Sequence, residues 1–378
     1  MTNVVQLVGD GARGGGTTYI VGLTAALIKH DYDLTVITDA GSFLANHAAS
    51  LGASVIGLPF NARRNTPALA LQLRRHLDRI DPAVVHAHGA RAALPAALAG
   101  LSRSWKFVYT VHGLHFQAKT EPARSLGRLA ERFCMQRSDH VVFVAGHDRE
   151  VARKFGILPA AAHSEVIQNG VEVDIEPEQE ANRLYDIGFL GRLVPQKNPL
   201  LLCDILLAML PLRPTLQVIG GGPLESELRS RAAALGLAEQ LTMTGELPRD
   251  EALRALARCR AFVLPSLNEG QPLAVMEAAH LGVPAVASAV AGTREIISDG
   301  VTGYLVPVDD VAGYADRLGR LLKDPDLAGG MSLAARNRAA ADFCFQRIVD
   351  ANLRIYALPK EDGPVHLHRT DGLAKAAG

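Results

Sequence analysis

The sequence of 378 residues has no apolar run of membrane-spanning length, no CxxC pair and no excess charge of either sign. Each absence removes a class of protein. Without about 18–20 consecutive apolar residues there is no integral span, and Met1 leads straight into "VVQLVG", a strand pattern. Neither a secretory signal nor an anchor is expected, so any membrane contact would be peripheral. Cys134, Cys203, Cys259 and Cys344 stand far apart, a usage that suits a reducing cytoplasm. Thirty-nine Lys+Arg balance thirty-nine Asp+Glu, which gives no field for gripping a nucleic-acid backbone, and no nucleic-acid partner is expected. What is present is apolar content: 48% of residues, in a chain long enough for two domains of ordinary size.

Short β-rich runs alternate with longer helical patterns, the grammar of parallel sheets covered by helices. "NVVQLVG" leads through "DGARGGG" to a helix over "TTYIVGLTAALIKH". "DLTVIT", "SVIGLP", "VVHAHG", "KFVYTVHG" and "HVVFVAG" each read as a strand and its exit loop, with helices around residues 66–79 and 122–137. The run "SEVIQNGVEVDIEPEQE" turns acidic and loop-like and marks a boundary. The grammar then restarts with "YDIGFLGRL", "TLQVIGGGP", "QLTMTG", "AFVLPS", "PAVAS" and "GYLVP". The expected architecture is α/β: two Rossmann-like, doubly wound domains, residues 1–168 and 184–342, joined by a linker at 169–183. An amphipathic helix over 343–358 is expected to pack back across both domains, and 359–378 to form a loose tail. In such a pair the ligand belongs at the C-terminal edges of the strands, in the cleft between the halves.

Several groups converge on that edge. The turns "GDGARGGGTTY" and "GGGPLESEL" can offer backbone amides to an anion, because amides at a helix start lack intrahelical partners. Neither turn is a complete dinucleotide fingerprint, although Asp39 near the end of "LTVITDA" keeps that reading open. In "GRLVPQKNP", Arg192 and Lys197 leave a buried strand five residues apart, and two such cations can neutralise a diphosphate. In "LNEGQPLAVMEAAHLGVPAVAS", Glu269 lies in a glycine/proline loop and Glu277 inside the following helix. Two ionised carboxylates there match the hydroxyls of a sugar and of a ribose. The amides near Gly270, Gln271 and Leu273 can face phosphates; Pro272 has none to give.

"FLGRLVPQKN", "VIGGGP", "LTMTGEL", "LPSLNEGQPLAVMEAAHLGVPAVAS" and "AGTREIISDGVTGYLVP" together resemble the nucleotide-binding half of retaining glycosyltransferases of family 4, which have the GT-B fold. The spacing of Glu269 and Glu277 matches that family, and the likeness reaches into the first half through the glycine loop at 14–16 and "YTVHG". The resemblance implies that Arg192 and Lys197 bind the donor diphosphate, Glu277 the ribose and Glu269 the transferred sugar. Gly221, Gly245, Glu246 and Leu247 would line the nucleotide, the last three beside the base. Gly15 and Gly16 would approach the donor phosphate or the acceptor, with Thr17 and Thr18 on the acceptor side. Gln271, at a position more often apolar in the family, would make the donor-sugar pocket more polar. The implied donor is a nucleotide-sugar, most commonly a UDP-sugar, and the acceptor a glycan or polyprenyl-linked sugar in polysaccharide or cell-envelope synthesis.

His112 ends "KFVYTVHG" at the cleft, where a histidine can reach a sugar hydroxyl or a phosphate oxygen; the resemblance implies a contact with the donor sugar that supports the transition state. No metal is expected: His86 and His88 in "HAHG" share a strand face but specify no third ligand. The family offers no placed nucleophile, so the implied chemistry is front-side substitution without a metal, in which the leaving diphosphate helps take the acceptor proton. A cofactor-dependent dehydrogenase would need a competent dinucleotide fingerprint and would leave Arg192, Lys197 and both glutamates unexplained. A non-catalytic sugar-nucleotide scaffold would not need all the polar groups present. For the acceptor, "EPARSLGRLAERFCMQR" repeats Arg124, Arg128 and Arg132 every four residues beside Leu126, Leu129 and Phe133, and "NARRN" adds Arg63 and Arg64. Such a surface would suit docking on an anionic leaflet at the inner face of the cell membrane; a core-facing stripe with solvated arginines is the other reading.

Overall fold

The computed structural model describes residues 2–12, 14–60, 66–101, 103–114, 116 and 120–358. Arg63, Arg64, His115 and the tail from residue 359 lie outside them.

The first domain carries strands β1 (Asn3–Val8), β2 (Asp33–Thr38), β3 (Ser54–Gly57), β4 (Val84–His88), β5 (Lys106–Val111), β6 (His140–Phe143) and β7 (Ser164–Val166). Its helices are α1 (Gly15–Lys29), α2 (Phe43–Ser50), α3 (Thr66–Ile80), α4 (Ala90–Ala99), α5 (Ala123–Arg137) and α6 (Gly146–Lys154). The second carries β8 (Tyr185–Leu190), β9 (Leu216–Ile219), β10 (Leu241–Met243), β11 (Cys259–Leu264), β12 (Ala285–Ser288) and β13 (Gly303–Val306). Around them lie α7 (Leu201–Ala208), α8 (Glu225–Ala234), α9 (Arg249–Ala257), α10 (Leu273–His280), α11 (Ala291–Ile296), α12 (Val311–Lys323) and α13 (Pro325–Asp342), and α14 (Phe345–Ala357) closes the described chain.

The strand orders are β3-β2-β1-β4-β5-β6-β7 and β10-β9-β8-β11-β12-β13, and every paired strand is parallel. Both orders turn back beside the strand that opens the domain, which leaves a crevice above β1/β4 and above β8/β11. Helices on both faces explain why β5 and β6 are buried along their whole length and read as continuous apolar runs. Two apolar clusters, one on each face of the first sheet, and one large cluster in the second domain form the cores.

Residues 164–166 belong to the first sheet as its edge strand, although "SEV" opens the run that reads as a boundary loop; strand pairing with β6 decides it. Asp324 ends α12 and at once caps α13, its side chain accepting from the Leu327 N–H at 3.0 Å, so "DPD" is a helix-to-helix joint.

Helix α14 returns to the first domain. The buried Lys106 ammonium on β5 donates to the Ile355 carbonyl and, at 2.9 Å, to the Leu358 carbonyl, placing a cation at the helix C-terminus where it is favoured. Arg354 pairs with Glu165 on β7. A Cβ at Gly22 of α1 would sit 2.7 Å from the Phe345 ring, so α1 and α14 touch through a glycine.

Candidate functional site

The second domain assembles most of the site from loops leaving one sheet edge. After β8 the chain passes Arg192 and enters a tight turn at Pro195–Lys197. The turn is tied to the β11 exit loop: Leu267 N–H donates to the Gln196 carbonyl (2.8 Å), and the Gln196 amide to the Asn268 carbonyl (3.0 Å). That tie brings the Lys197 ammonium to 2.7 Å from Glu269 Oε1, both side chains largely buried. Lys197 thus neutralises Glu269 and has further N–H donors for another anion. Arg192 is exposed, and among the described residues its guanidinium makes no ion pair.

The run Gly220, Gly221, Gly222 is glycine because backbone lies against it. A Cβ at Gly220 would meet the Gly191 carbonyl oxygen at 2.2 Å, and one at Gly222 the Leu193 carbonyl at 2.6 Å. Gly221 accepts from the Leu193 N–H at 2.8 Å. This turn buttresses the Arg192 loop. The Gly245 carbonyl accepts from the Gly220 N–H (3.0 Å), Glu246 flanks Gly221, and Leu247 packs on the core, so residues 245–247 stand beside the same turn.

Glu277, on the second turn of α10, is buried, and its carboxylate pairs with Arg249 at the start of α9. The same guanidinium donates to the Glu172 carbonyl of the linker at 2.9 Å. Arg249 stands in no motif of the sequence. Its signal is a cation at a helix N-terminus, where the dipole disfavours it, next to Asp250 and Glu251, which the dipole favours.

The Gln271 side chain is engaged at the domain boundary: Oε1 accepts from the Asn169 N–H (2.6 Å), and Nε2 lies 3.4 Å from Glu295. Glu295 reaches across the domain boundary and accepts from the Gly146 and His147 N–H groups at 3.1 and 2.8 Å. A carboxylate thereby caps the first turn of α6 in the other domain. The Gly292 N–H donates to the Glu269 carbonyl (3.2 Å), and Gly292 lies directly beneath the Glu269–Gly270 backbone.

The first domain faces this edge at two points. A Cβ at Gly15 would lie 3.5 Å from Leu273 Cδ1, and one at Gly270 would lie 3.6 Å from the His112 carbonyl oxygen. Pro272 precedes α10 and Leu273 begins it. The exposed Gly15 and Gly16 open α1, with free space where a Gly16 side chain would be, so backbone amides can meet an anion there. Thr17 is buried, and its hydroxyl accepts from the Gly14 N–H (2.9 Å) and donates within the same turn. The Thr18 hydroxyl donates to the Gly14 carbonyl at 3.1 Å. Both hydroxyls fasten the helix start.

Helix α5 carries the remaining candidates. There Leu126 and Leu129 are each 65% exposed, which removes the core-facing reading of those two, while Phe133 packs on the core. Arg128 lies over the Phe155 ring at 5.1 Å; Arg124 and Arg132 are exposed. Among the described residues no group of three or more His, Cys, Asp or Glu could hold a metal, and no helix is long and apolar enough to cross a membrane.

Two family models cover nearly all of the described chain: Glycosyltransferase Family 4 matches residues 13–175 and Glycosyl transferases group 1 matches 171–338. A Mycolicibacterium smegmatis protein, a GDP-mannose-dependent alpha-(1-6)-phosphatidylinositol monomannoside mannosyltransferase, is 30% identical, with 86% of this chain and 90% of that protein covered. An Escherichia coli UDP-Gal:alpha-D-GlcNAc-diphosphoundecaprenol alpha-1,3-galactosyltransferase is 27% identical, covering 72% and 74%. The Anabaena HepE structure in complex with UDP and glucose superposes with a TM-score of 0.81 at 18% identity, over 95% of this chain and 100% of that one, which shows the shared fold. Two facing Rossmann-like domains, a lysine and two glutamates at one strand edge and a 30% identical relative along most of its length place this chain in glycosyltransferase family 4, as an enzyme of GT-B fold that uses a nucleotide-sugar donor.

Proposed function

We propose that the enzyme transfers a hexose from a UDP-sugar to a hydroxyl of a lipid-linked or glycan acceptor, with retention at the anomeric carbon and without a metal. The observation that carries the mechanism is the 2.7 Å pair of Lys197 with Glu269. A retaining enzyme that used a carboxylate nucleophile would need it about 5 Å from a second carboxyl group and ready to attack, whereas Glu269 is held against an ammonium. The acceptor oxygen therefore attacks on the face from which the diphosphate leaves. The C1–O bond to the diphosphate breaks, and the acceptor proton passes to a diphosphate oxygen. Arg192 and Lys197 neutralise the charge that develops there, and a cleft closed to water strengthens both contacts. Glu269 supports the oxocarbenium character of the sugar, His112 contacts a sugar hydroxyl, and Glu277, oriented by Arg249, takes the ribose diol.

Uridine as the base is supported by the UDP-Gal of the E. coli relative and the UDP bound by the Anabaena neighbour; the mycobacterial relative's GDP-mannose is the rival donor. Transfer assayed with UDP- and GDP-sugars, with EDTA present and the product anomer read by NMR, tests the proposal. Retention and insensitivity to EDTA are expected; an inverted product or strict metal dependence contradicts it.

The two glutamates should separate. Glu277→Gln is expected to weaken binding of the bare nucleoside diphosphate, whereas Glu269→Gln spares it and impairs the sugar-bearing donor. Calorimetry with both ligands decides, and equal losses in both variants would show the roles wrongly divided.

The exposed Leu126/Leu129 pair among Arg124, Arg128 and Arg132 supports peripheral docking on an anionic leaflet, bringing the cleft to a membrane-bound acceptor at the inner face. Vesicle flotation should show weak binding at low salt that falls at high salt and falls again in an Arg124/Arg128/Arg132→Glu variant. No recruitment at low salt, with efficient transfer to a small soluble acceptor, would leave an enzyme acting on soluble substrates at no surface.

A further inference from the structure

A continuous polar chain runs through the face of the first sheet that meets α1 and α14. Gln6 on β1, His86 and His88 on β4 and Thr110 on β5 are all at most 5% exposed. Burying so many polar groups is costly unless each finds a partner, and here they do. Tyr356, on the helix returning from the second domain, receives the Gln6 Nε2–H at 2.9 Å and lies 2.7 Å from His86 Nδ1. His86 Nε2 lies 2.7 Å from Thr110 Oγ1. Gln6 Oε1 bonds His88 Nε2, and His88 Nδ1 lies 3.1 Å from His112 Nε2. The chain thus runs from α14 through the sheet to the histidine at the cleft, with the Tyr19 ring edge-on to both His88 and His112.

Hydrogen bookkeeping gives the chain a direction. Tyr356 accepts from Gln6, so its single O–H donates to His86 Nδ1, and His86 Nε2–H donates to Thr110. Gln6 Oε1 can only accept, so His88 carries its hydrogen on Nε2. Burial lowers the pKa of His86 to about 3, that of His88 well below its ordinary value, and pushes that of Tyr356 up. His88 is therefore neutral, and its Nδ1 is an acceptor. The hydrogen shared with His112 must sit on His112 Nε2.

We propose that Tyr356, Gln6 and His88 are positioning residues that hold His112 in the Nε2–H tautomer, so that it meets a substrate hydroxyl through the Nδ1 lone pair, as an acceptor. This rests on the reading of His112 as a substrate contact. It makes the returning helix part of the catalytic apparatus as well as a packing element: Tyr356 is the acceptor that holds the Gln6 N–H on the side away from His88. Without its hydroxyl the amide can turn its N–H toward His88 Nε2, which moves the His88 hydrogen to Nδ1 and reverses the bond to His112.

The test compares wild type, Tyr356→Phe, His88→Phe and His112→Ala by ¹⁵N-histidine NMR, with His112→Ala supplying the assignment, alongside transfer kinetics and nucleoside diphosphate binding. Wild type should show His112 protonated at Nε2 and not at Nδ1. Tyr356→Phe should mix the tautomers and lower kcat roughly five- to tenfold, the loss of one uncharged buried hydrogen bond, with donor KM and nucleotide affinity unchanged. His88→Phe should lower kcat at least as far. A wild-type His112 protonated at Nδ1 overturns the proposal. So does a Tyr356→Phe enzyme that melts earlier but keeps its kcat, since that is the behaviour of a packing residue. Full turnover by His112→Ala instead overturns the reading beneath it.

Discussion

Replacing both Arg192 and Lys197 with alanine is expected to lower transfer by at least about 10²-fold, since each removes a charge-assisted contact to the diphosphate of roughly 1.5–3 kcal/mol. The two single variants should differ in a way that the structure dictates. Arg192 is exposed and its side chain holds nothing in place among the described residues, so Arg192→Ala should melt with wild type while losing donor affinity and turnover. Lys197 is the countercharge of Glu269, whose side chain is only 7% exposed. Lys197→Ala strands that carboxylate, and leaving a buried charge unpaired is destabilising in its own right. Lys197→Ala should therefore melt earlier as well, and adding Glu269→Gln should restore its melting temperature without restoring turnover. Thermal melts read beside transfer kinetics check both halves. Near-normal transfer by the double variant would remove the diphosphate from this loop.

The second large effect comes from one methyl group. A Cβ at Gly292 would lie 2.1 Å from the Gly270 carbonyl oxygen, 2.5 Å from its carbon and 2.7 Å from the Glu269 carbonyl oxygen. All three are backbone atoms, which no side-chain rotation can move aside. Gly292→Ala must push the Glu269–Gly270 segment away and take the Glu269 carboxylate from its partner, at an overpacking cost of about 1–3 kcal/mol. Misplacement of a reacting group by about 1 Å can cost 10²-fold in rate. The expected result is a folded protein whose kcat/KM with the sugar-bearing donor falls by about that factor, while the bare nucleotide, held farther along α10, binds nearly as well. Unchanged kcat/KM would mean that this loop does not set the chemistry.

Sequence patterning carried the architecture because parallel strands covered on both faces leave uninterrupted apolar runs such as "FVYTV" and "VVF", and each run ends where a loop enters the cleft. For the same reason Arg192, Lys197, Glu269 and Glu277 were legible: the first three lie in the loops that leave β8 and β11, and Glu277 in the helix that follows the second loop. What escaped depends on partners with no spacing to betray them. Gln271 looks like a pocket residue, yet its side chain is satisfied by the Asn169 N–H, 102 positions away. Arg249 acquires its role from Glu277, 28 positions on. Thr17 sits on the glycine loop but turns its hydroxyl into its own helix start, a local choice open to any threonine there. Strand β7 is three residues long, partly buried at the sheet edge, too short for alternation to declare it. The short helices α2, α4 and α6 hide similarly between stronger strand signals.

The central claim is that the cleft holds a nucleoside diphosphate, with Glu277 on the ribose and the Arg192–Lys197 loop on the phosphates. Calorimetric titration of the wild-type protein and of Glu277→Gln with UDP, GDP, ADP and NAD tests it most directly. Saturable binding of UDP, or of GDP in its place, by wild type and its marked weakening in Glu277→Gln is the predicted result; binding of NAD with no response to any nucleoside diphosphate would contradict the account.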